Sequence, residues 1–237
     1  MKKERNTAIM LAAGKGTRMG GDTPKLYLEV KDKPVIYYPL KTFQESELID
    51  DIILVVSKGY IEYVQKQIVD TYGFSKVSTV IEGGNERYDS VWEGIKSIED
   101  DPERKRYIFI HDAARAFVDG DMLQRASEAV KAYGACVVGM PAKDTIKIAD
   151  SQGFISQTPD RDMVWVVQTP QVFDFSIIKK AYSLLMRESY IQVTDDCMVV
   201  EQMLDYPIKL VEGSYRNIKI TTPEDIIIAE RLLSDKK

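Results

Sequence analysis

The sequence predicts an α/β fold built on a mostly parallel, twisted sheet flanked by helices. Short apolar runs rich in β-branched residues recur along the chain, and most precede a stretch in which apolar residues return at helical spacing. This alternation is typical of strand–helix units around a parallel sheet. Residues 142–168 break the alternation, and we expect them to project as a β-hairpin arm.

The β-branched runs locate the strands. We expect strands at Ala8–Ala12, Ile52–Val56, Val77–Ile81, Tyr107–Ile110, Ala135–Met140, Ile208–Val211 and Asn217–Ile220. In the arm, two extended pieces flank Asp150-Ser151-Gln152-Gly153, which has the composition of a hairpin turn.

Apolar residues at helical spacing locate the helices. Two helical faces are formed by Ile61, Val64, Ile68 and Tyr72 and by Met122, Ala126, Ala129, Val130 and Tyr133. Further helices are predicted near Phe175–Arg187 and Asp195–Leu204. The last helix is predicted to begin at Thr222-Pro223-Glu224-Asp225, which supplies an N-cap, a proline at the first helical position and acids in the first turn.

The composition indicates a soluble globular protein large enough to bury a hydrophobic core. Its 237 residues are 44% hydrophobic and 29% charged, and no linker or repeat divides them, so we expect one domain over 1–237. No apolar run has the length of a membrane span, and the first residues lead into a strand rather than a signal-peptide core, which predicts a cytoplasmic protein. Cys136 and Cys197 are interpreted as reduced thiols.

The net charge is −5, so the overall balance does not favour binding to nucleic acid or to an anionic membrane. Anionic ligands would therefore need a local cluster of Lys and Arg side chains.

A glycine-rich loop follows the first predicted strand. It reads Ala12-Ala13-Gly14-Lys15-Gly16-Thr17-Arg18-Met19-Gly20-Gly21-Asp22-Thr23-Pro24-Lys25. Glycines let backbone N–H groups approach a polyphosphate closely, and Arg18 and Lys25 can add charge from either end. The loop therefore suits a nucleoside triphosphate, with an ordinary strand–helix connection as the alternative.

Two commoner nucleotide motifs are excluded by spacing. A dinucleotide-binding fingerprint needs glycine where Met19 stands, and the second strand ends in Ser57-Lys58 rather than in an acid for a ribose. A P-loop would end in Gly-Lys-Ser or Gly-Lys-Thr, which this loop lacks.

Seven segments in order carry a resemblance over nearly the whole chain. They are the loop with Pro24-Lys25, Gly83-Gly84-Asn85-Glu86-Arg87-Tyr88-Asp89-Ser90-Val91, His111-Asp112-Ala113-Ala114-Arg115, Asp144-Thr145-Ile146-Lys147, Gln168-Thr169-Pro170-Gln171, Thr194-Asp195-Asp196 and Asn217-Ile218-Lys219-Ile220-Thr221. This pattern resembles the 2-C-methyl-D-erythritol 4-phosphate cytidylyltransferase family, whose fold is a Rossmann-like nucleotidyltransferase fold. Ala116 and Leu26 depart from it, since the family usually has Pro and Gln there.

The resemblance implies transfer of CMP from CTP to 2-C-methyl-D-erythritol 4-phosphate with Mg²⁺, in isoprenoid precursor biosynthesis. Arg18 and Lys25 are the expected catalytic residues, because they bracket the loop that would hold the triphosphate; a solvated surface role is the alternative. The CTP contacts expected from the resemblance are Ala12, Ala13, Gly14, Gly16, Gly83, Gly84, Ser90 and Ala113.

Asp112 follows an apolar strand, and open α/β sheets bind ligands at the carboxyl ends of strands. Its carboxylate suits magnesium, and the alternative is a cap for the next turn. His111 is expected to pack or orient, because a phosphate nucleophile has no proton to lose. Arg87 is either part of the pocket or a residue that positions its loop.

For the polyol phosphate, the resemblance points to Asp112, Arg115, Thr145, Arg161, Thr169 and Lys219. With Arg18 and Lys25, the cations Arg115, Arg161 and Lys219 of this set would form the local positive cluster that a chain of charge −5 needs. It also implies a homodimer in which the arm's Thr145 and Arg161 complete the neighbour's site, whereas a hairpin packed on its own chain is the alternative. Ribitol-5-phosphate cytidylyltransferases share the loop, but more often have Gly in place of Ala13 and Ser-Val in place of Ala113-Ala114. A catalytically silent nucleotide-binding module is the hypothesis of another class.

Overall fold

A computed structural model of the chain describes residues 4–14, 24–188 and 192–234. In chain order, its strands and helices are β1 Arg5–Ala12, β2 Glu29–Val30, β3 Lys33–Pro34, α1 Tyr37–Glu45, β4 Asp51–Val56, α2 Ile61–Val64, β5 Val77–Glu82, α3 Arg87–Lys96, β6 Arg106–Asp112, α4 Gly120–Tyr133, β7 Ala135–Pro141, β8 Ile148–Ala149, β9 Ile155–Gln157, β10 Trp165–Asp174, α5 Phe175–Leu185, α6 Asp196–Leu204, β11 Lys209–Glu212 and α7 Pro223–Ser234. A π-helix, Gln65–Asp70, continues α2, and 3-10 turns lie at Lys25–Tyr27 and Arg161–Met163.

Seven strands form one sheet in the order β11-β7-β10-β6-β1-β4-β5. Neighbouring strands are parallel except at β10, which runs antiparallel to both β6 and β7. The strands β8 and β9 pair separately as a hairpin. The predicted fold class, a mostly parallel sheet flanked by helices with a hairpin arm, is therefore confirmed. The organisation of 1–237 as one domain stays a prediction.

The sheet is covered on both faces, which is why its strands are apolar along their whole length. Every residue of β4 is buried. Along β1, Ala8 and Met10 pack with Phe43 on one face, whereas Ile9 packs with Ile95 on the other. Because successive side chains of a strand point to opposite faces, a strand buried on both sides has no polar alternation.

The predicted strand Asn217–Ile220 is wrong, because this segment has no ladder partner within the described ranges. Asn217 uses its side-chain amide to donate to Thr169 O at 3.0 Å, and the Ile220 N–H donates to Ala114 O at 2.8 Å. The segment is therefore bound to β10 at one end and to the residue pair after β6 at the other, instead of pairing along one neighbouring strand.

The structure adds α1, α3 and β10 to the predicted elements. In α3 the sequence Arg-Tyr-Asp-Ser-Val-Trp-Glu-Gly-Ile-Lys combines aromatic and β-branched residues with a glycine, so its intrinsic helix propensity is low and packing of Val91 and Ile95 stabilises it. In β10 the ladder shifts register between Val167 and Gln171, which accommodates Pro170, a residue with no N–H to donate. Of the helices in the described parts of the chain, none combines the length and apolarity needed to cross a membrane.

Candidate functional site

A cleft of about 650 Å³ opens at the carboxyl ends of β1, β4, β5 and β6. These four strands are parallel, so their ends meet at one edge of the sheet, where open α/β sheets bind ligands. Its described lining consists of Leu11, Ala13, Gly14, Lys25, Leu26, Ser57, Lys58, Gly83, Gly84, Asn85, Glu86, Arg87, Ser90, Asp112, Ala114, Lys219 and Thr221. The volume suits a nucleotide-sized ligand.

One end of the cleft is a tightly packed wall formed by Gly83, Gly84 and the first turn of α3. A Cβ on Gly83 would lie 2.5 Å from Ser90 Oγ and 2.6 Å from Ala13 Cβ, and a Cβ on Gly84 would lie 2.2 Å from Asp89 Cβ. Both positions therefore require glycine. Gly83 N also donates to Val56 O at 2.8 Å, which fixes this wall to the end of β4.

The start of α3 is fixed by its own side chains. Asp89 accepts a hydrogen bond from the Glu86 N–H at 3.0 Å, and Ser90 Oγ donates to Glu86 O at 3.2 Å. The first bond satisfies an N–H group at the helix start, whereas the second fixes the Ser90 hydroxyl on a carbonyl that also accepts the Ser90 N–H at 3.2 Å. Ser90, predicted to contact the pyrimidine, thus lies beside Ala13, Gly83 and Gly84 with its hydroxyl already oriented.

The other end of the cleft is cationic. Arg87 and Lys219 meet there at Asp112, and Lys25 and Lys58 also line the cleft. Lys25 opens the 3-10 turn Lys25–Tyr27. Tyr27 anchors that turn, because its ring stacks on Tyr60 at 5.6 Å and meets Tyr63 edge-on at 5.2 Å. Lysines at one end of the cleft give a chain of net charge −5 a local attraction for phosphate.

Asp112 lies at the centre of this charged end. Its Oδ2 accepts from Lys219 Nζ at 2.6 Å, and its Oδ1 accepts from Arg87 Nε at 3.3 Å. Burial alone would raise the pKa of the Asp112 carboxyl, but the charges of Arg87 and Lys219 outweigh burial and hold that pKa well below its usual range. The side chain thus remains ionised, and it binds two cations rather than capping the next turn.

Arg87 links Asp112 to a carboxylate below the cleft. Its two Nη atoms donate to both oxygens of Asp196, at 2.9 and 2.7 Å. Burial alone would lower the pKa of the Arg87 guanidinium, yet the charges of Asp196 and Asp112 raise it well above its ordinary value. Of the two predicted roles for Arg87, these contacts favour positioning, since all its nitrogens donate within the protein.

His111 is fully buried behind Asp112 in a chain of neutral hydrogen bonds. Its Nε2 lies 3.1 Å from Arg115 O, a carbonyl that can only accept, so Nε2 carries the proton. Nδ1 therefore accepts from Thr169 Oγ1 at 3.0 Å, and Thr169 Oγ1 accepts from the Asp112 N–H at 3.1 Å. Burial lowers the pKa of His111 to about 4, which keeps the ring neutral and suited to an orienting role.

Several predicted site residues do not line this cleft in the described chain. Ala12 and Ala113 are buried beneath it, and the Ala113 N–H donates to Leu11 O at 2.9 Å. Arg115 donates to Asn217 O at 2.9 Å and to Val167 O at 3.2 Å, while its Nε is buried without a partner. Arg18 and Gly16 lie outside the described residues.

Thr145 and Arg161 lie on the arm, and both are exposed. The turn at the arm's tip forms as predicted: Asp150 N donates to Phe154 O at 2.9 Å, and Gly153 takes a φ of +86°. Phe154 is 69% exposed and Met163 is 82% exposed. The predicted cluster of five cations therefore does not assemble among the described residues of one chain, because only Lys25 and Lys219 of that set line the cleft.

The described donor set fits a magnesium ion only in combination with a ligand. No group of three or more His, Cys, Asp or Glu side chains in the described ranges could hold a metal ion by itself. Asp112 supplies one ionised, hard carboxylate beside the lysines, and Mg²⁺ in such sites takes its remaining ligands from phosphates and water.

Sequence reasoning missed Asp196, Tyr182 and Gln171 as members of this site. Tyr182 donates its hydroxyl to Asp196 Oδ1 at 2.6 Å, and Gln171 Oε1 accepts the N–H groups of Asp196 and Cys197 at 3.0 and 2.9 Å. Asp196 and Gln171 stand in two of the seven segments, but nothing in those segments indicated that Asp196 pairs with Arg87.

Comparison with known proteins gives one consistent result. The family model for 2-C-methyl-D-erythritol 4-phosphate cytidylyltransferase (IspD) matches residues 7–235. Proteins carrying the same description are similar to this chain: one from Lachnospira eligens is 50% identical over 94% of this chain and 97% of its own, and one from Lachnoclostridium phytofermentans is 47% identical over 98% and 97%. The crystal structure of 4-diphosphocytidyl-2C-methyl-D-erythritol synthase from Anaerococcus prevotii superposes with a TM-score of 0.84 at 34% identity, covering 98% of this chain and 96% of that one.

Proposed function

The chain belongs to the 2-C-methyl-D-erythritol 4-phosphate cytidylyltransferase family, and on that premise we propose that its cleft transfers CMP from CTP to 2-C-methyl-D-erythritol 4-phosphate. One observation carries the proposal. A glycine wall with a preset Ser90 hydroxyl and a lysine-lined end around ionised Asp112 lie in one cleft. That arrangement suits a ligand with a flat polar base at one end and a polyanion at the other.

The nucleotide would lie along the edge of the sheet. Ala13, Gly83, Gly84 and Ser90 would enclose the base and ribose, since the glycines leave no side chain between backbone and ligand. Gly14 would face the phosphates, and a Cβ there would meet no atom of the described residues within 4 Å. Arg18 and Gly16 keep their predicted roles at the triphosphate.

In the reaction, a phosphate oxygen of the acceptor attacks the α-phosphorus of CTP, and the bond to the β-phosphate oxygen breaks. The products are a cytidine diphosphate ester and pyrophosphate, and no proton needs to leave the nucleophile. Lys25, with Arg18, would stabilise the extra negative charge at phosphorus and on the leaving pyrophosphate. Asp112 would hold Mg²⁺, which when bound neutralises phosphate charge and aligns the phosphates.

The acceptor would be held beside Asp112 and Lys219. Arg115 makes no ion pair with a described residue and turns to two carbonyls, so its charge stays available to a phosphate group. Thr169 and His111 would keep this corner in place through the hydrogen bonds described above.

We also propose that the protein acts as a homodimer in which Thr145 and Arg161 of one subunit complete the other subunit's acceptor pocket. Support comes from the exposure of both residues and from exposed Phe154 and Met163, since apolar side chains on a thin hairpin are typical of a contact surface. The cytoplasmic location stays a prediction.

Subunit complementation tests the dimer. Lys25→Ala and Arg161→Ala homodimers should each be nearly inactive. Exchanging subunits should restore about a quarter of wild-type activity, because half of the dimers become hybrids with one intact pocket of two. Mixtures that stay inactive after exchange, verified by mass spectrometry, would show that the arm serves its own chain.

Pyrophosphate release tests the reaction. Wild-type enzyme with CTP and Mg²⁺ should release pyrophosphate with 2-C-methyl-D-erythritol 4-phosphate and not with ribitol 5-phosphate, and Lys25→Ala is the matched control. Release with ribitol 5-phosphate alone would change the acceptor and keep the chemistry. If no pyrophosphate is released with either acceptor, the result would favour a catalytically silent nucleotide-binding module.

A further inference from the structure

The Thr194-Asp195-Asp196 motif contains a carboxylate that the reaction does not use. Asp196 is fully buried on the first turn of α6, and it is absent from the described lining of the cleft. An ionised carboxylate without contact to solvent or ligand is costly to bury unless partners compensate. Its contacts therefore indicate what it does.

Those contacts form a line of alternating charges that ends in the cleft. Asp196 binds both Nη atoms of Arg87 at 2.7 and 2.9 Å, Arg87 Nε binds Asp112 at 3.3 Å, and Asp112 binds Lys219 at 2.6 Å. A bidentate contact fixes the plane of the guanidinium, so the direction of its Nε is fixed too. Through Arg87, Asp196 thus determines where a donor meets Asp112 Oδ1.

The carboxylate is itself held in a rigid frame. Tyr182 of α5 donates to Asp196 Oδ1 at 2.6 Å, and Gln171 of β10 accepts from the Asp196 N–H at 3.0 Å. Gln171 also donates to Asp195 Oδ2 at 2.9 Å, and Asp195 caps α6 by accepting from the Met198 N–H at 2.8 Å. Two helices and the antiparallel strand therefore converge on one buried side chain.

We propose that Asp196 is a positioning residue for the transfer reaction, acting through Arg87 on the carboxylate of Asp112. The proposal rests on the proposed function, and it assigns a role to Asp196, Tyr182 and Gln171, none of which reaches the substrates. A purely structural ion pair is the competing explanation. If the ion pair were purely structural, removing it would lower the fraction of folded protein and leave the kcat of the folded enzyme unchanged.

The test compares Asp196→Asn with Asp174→Asn. Both substitutions remove one carboxylate, but Asp174 caps α5 by accepting from the N–H and the hydroxyl of Ser176 through Oδ1 alone, so an asparagine can keep both bonds. Per folded molecule, Asp196→Asn should lower kcat about 10- to 100-fold with the KM for CTP changed less than about 3-fold, because the packed glycine wall is untouched. Asp174→Asn should keep kcat within about 3-fold of wild type.

A second background separates positioning from general damage. In Asp112→Asn enzyme, assayed with radiolabelled CTP, adding Asp196→Asn should lower kcat by less than about 3-fold, because the group being positioned has already lost its charge. An equal loss in both backgrounds would overturn the proposal, and so would Asp196→Asn with kcat equal to that of Asp174→Asn.

Where Asp196→Asn does not fold, Tyr182→Phe decides. It removes one hydroxyl from Asp196 and keeps the ion pair, so kcat per folded molecule should fall about 2- to 5-fold, alongside some loss of stability from the buried hydrogen bond. Unchanged kcat in a folded Tyr182→Phe enzyme would then overturn the proposal. Absence of pyrophosphate release from the wild type would instead count against the proposed function itself.

Discussion

The nucleotide wall of the cleft and the arm are built in opposite ways. At the wall, Gly83 and Gly84 leave no room for a Cβ, and each polar group beside them bonds within the chain. On the arm, Phe154 is 69% exposed and Arg161 has one long hydrogen bond, to Lys143 O at 3.5 Å. The wall is complete in one chain, whereas the arm has the features of a surface that lacks its partner.

The largest expected effect lies at the cationic end, where catalysis and folding should separate. Lys25→Ala should lower kcat/KM by about 10²- to 10³-fold, because it removes a charge that stabilises the transition state. The free energy of unfolding should change by less than about 1 kcal/mol. Steady-state pyrophosphate assays and urea unfolding measure the two effects, and near-normal kinetics would remove Lys25 from the mechanism.

The buried hydrogen-bond chain behind the cleft should respond in stability. His111→Phe leaves Thr169 Oγ1 without its acceptor and Arg115 O without its donor, so the free energy of unfolding should fall by about 2–4 kcal/mol. Tyr215→Phe is the control, since it loses one hydroxyl contact, to Pro141 O, on an exposed ring, and it should cost less than about 1 kcal/mol. Equal costs in urea unfolding would mean that His111 only fills space.

Substitutions at two glycines of the cleft should affect different properties, stability at one and CTP binding at the other. Gly83→Ala should destabilise the fold by about 1–3 kcal/mol, because its Cβ meets Ala13 and Ser90. Gly14→Ala should not destabilise it, because its Cβ meets no atom of the described residues within 4 Å, but it should weaken CTP binding about 10-fold by occupying space meant for phosphate. Thermal unfolding and calorimetric CTP titration distinguish the two, and an unstable Gly14→Ala would contradict this assignment.

The sequence located the parts of the cleft that are encoded locally. Ala13 and Gly83 directly follow strands, and Asp112 ends one. Predicting the strands therefore also predicted that these residues meet at one edge of the sheet. The pairing of Arg87 with Asp196 spans 109 positions and depends on how α6 packs, so no spacing rule could give it. Likewise, Arg115 turns to the carbonyls of Val167 and Asn217 because of where two distant backbones lie.

The same limit explains the errors in secondary structure. A proline weakens a central strand because it has no N–H for the ladder, yet a register shift lets β10 carry Pro170 between β6 and β7. The run Asn217–Ile220 has strand composition. The Asn217 amide and the Ile220 N–H donate to Thr169 O and Ala114 O, however, instead of to one strand ladder. Tertiary contacts therefore decided both segments against their local preference.

The smallest expected effect on the stability of a single chain is on the arm. A substitution there tests whether the arm binds a second subunit. Phe154→Ser changes a side chain that is already 69% exposed, so urea unfolding at a concentration where wild type and variant are both monomeric should shift by less than about 0.5 kcal/mol. If the arm binds a second copy, light scattering should nevertheless show a shift from dimer to monomer, with activity falling on dilution because the partner's Thr145 and Arg161 leave the pocket. Ser156→Ala on the same hairpin is the control, since it removes one hydroxyl bonded to Ile148 O and no apolar surface. A dimer that persists in Phe154→Ser would place the subunit contact away from the tip of the arm.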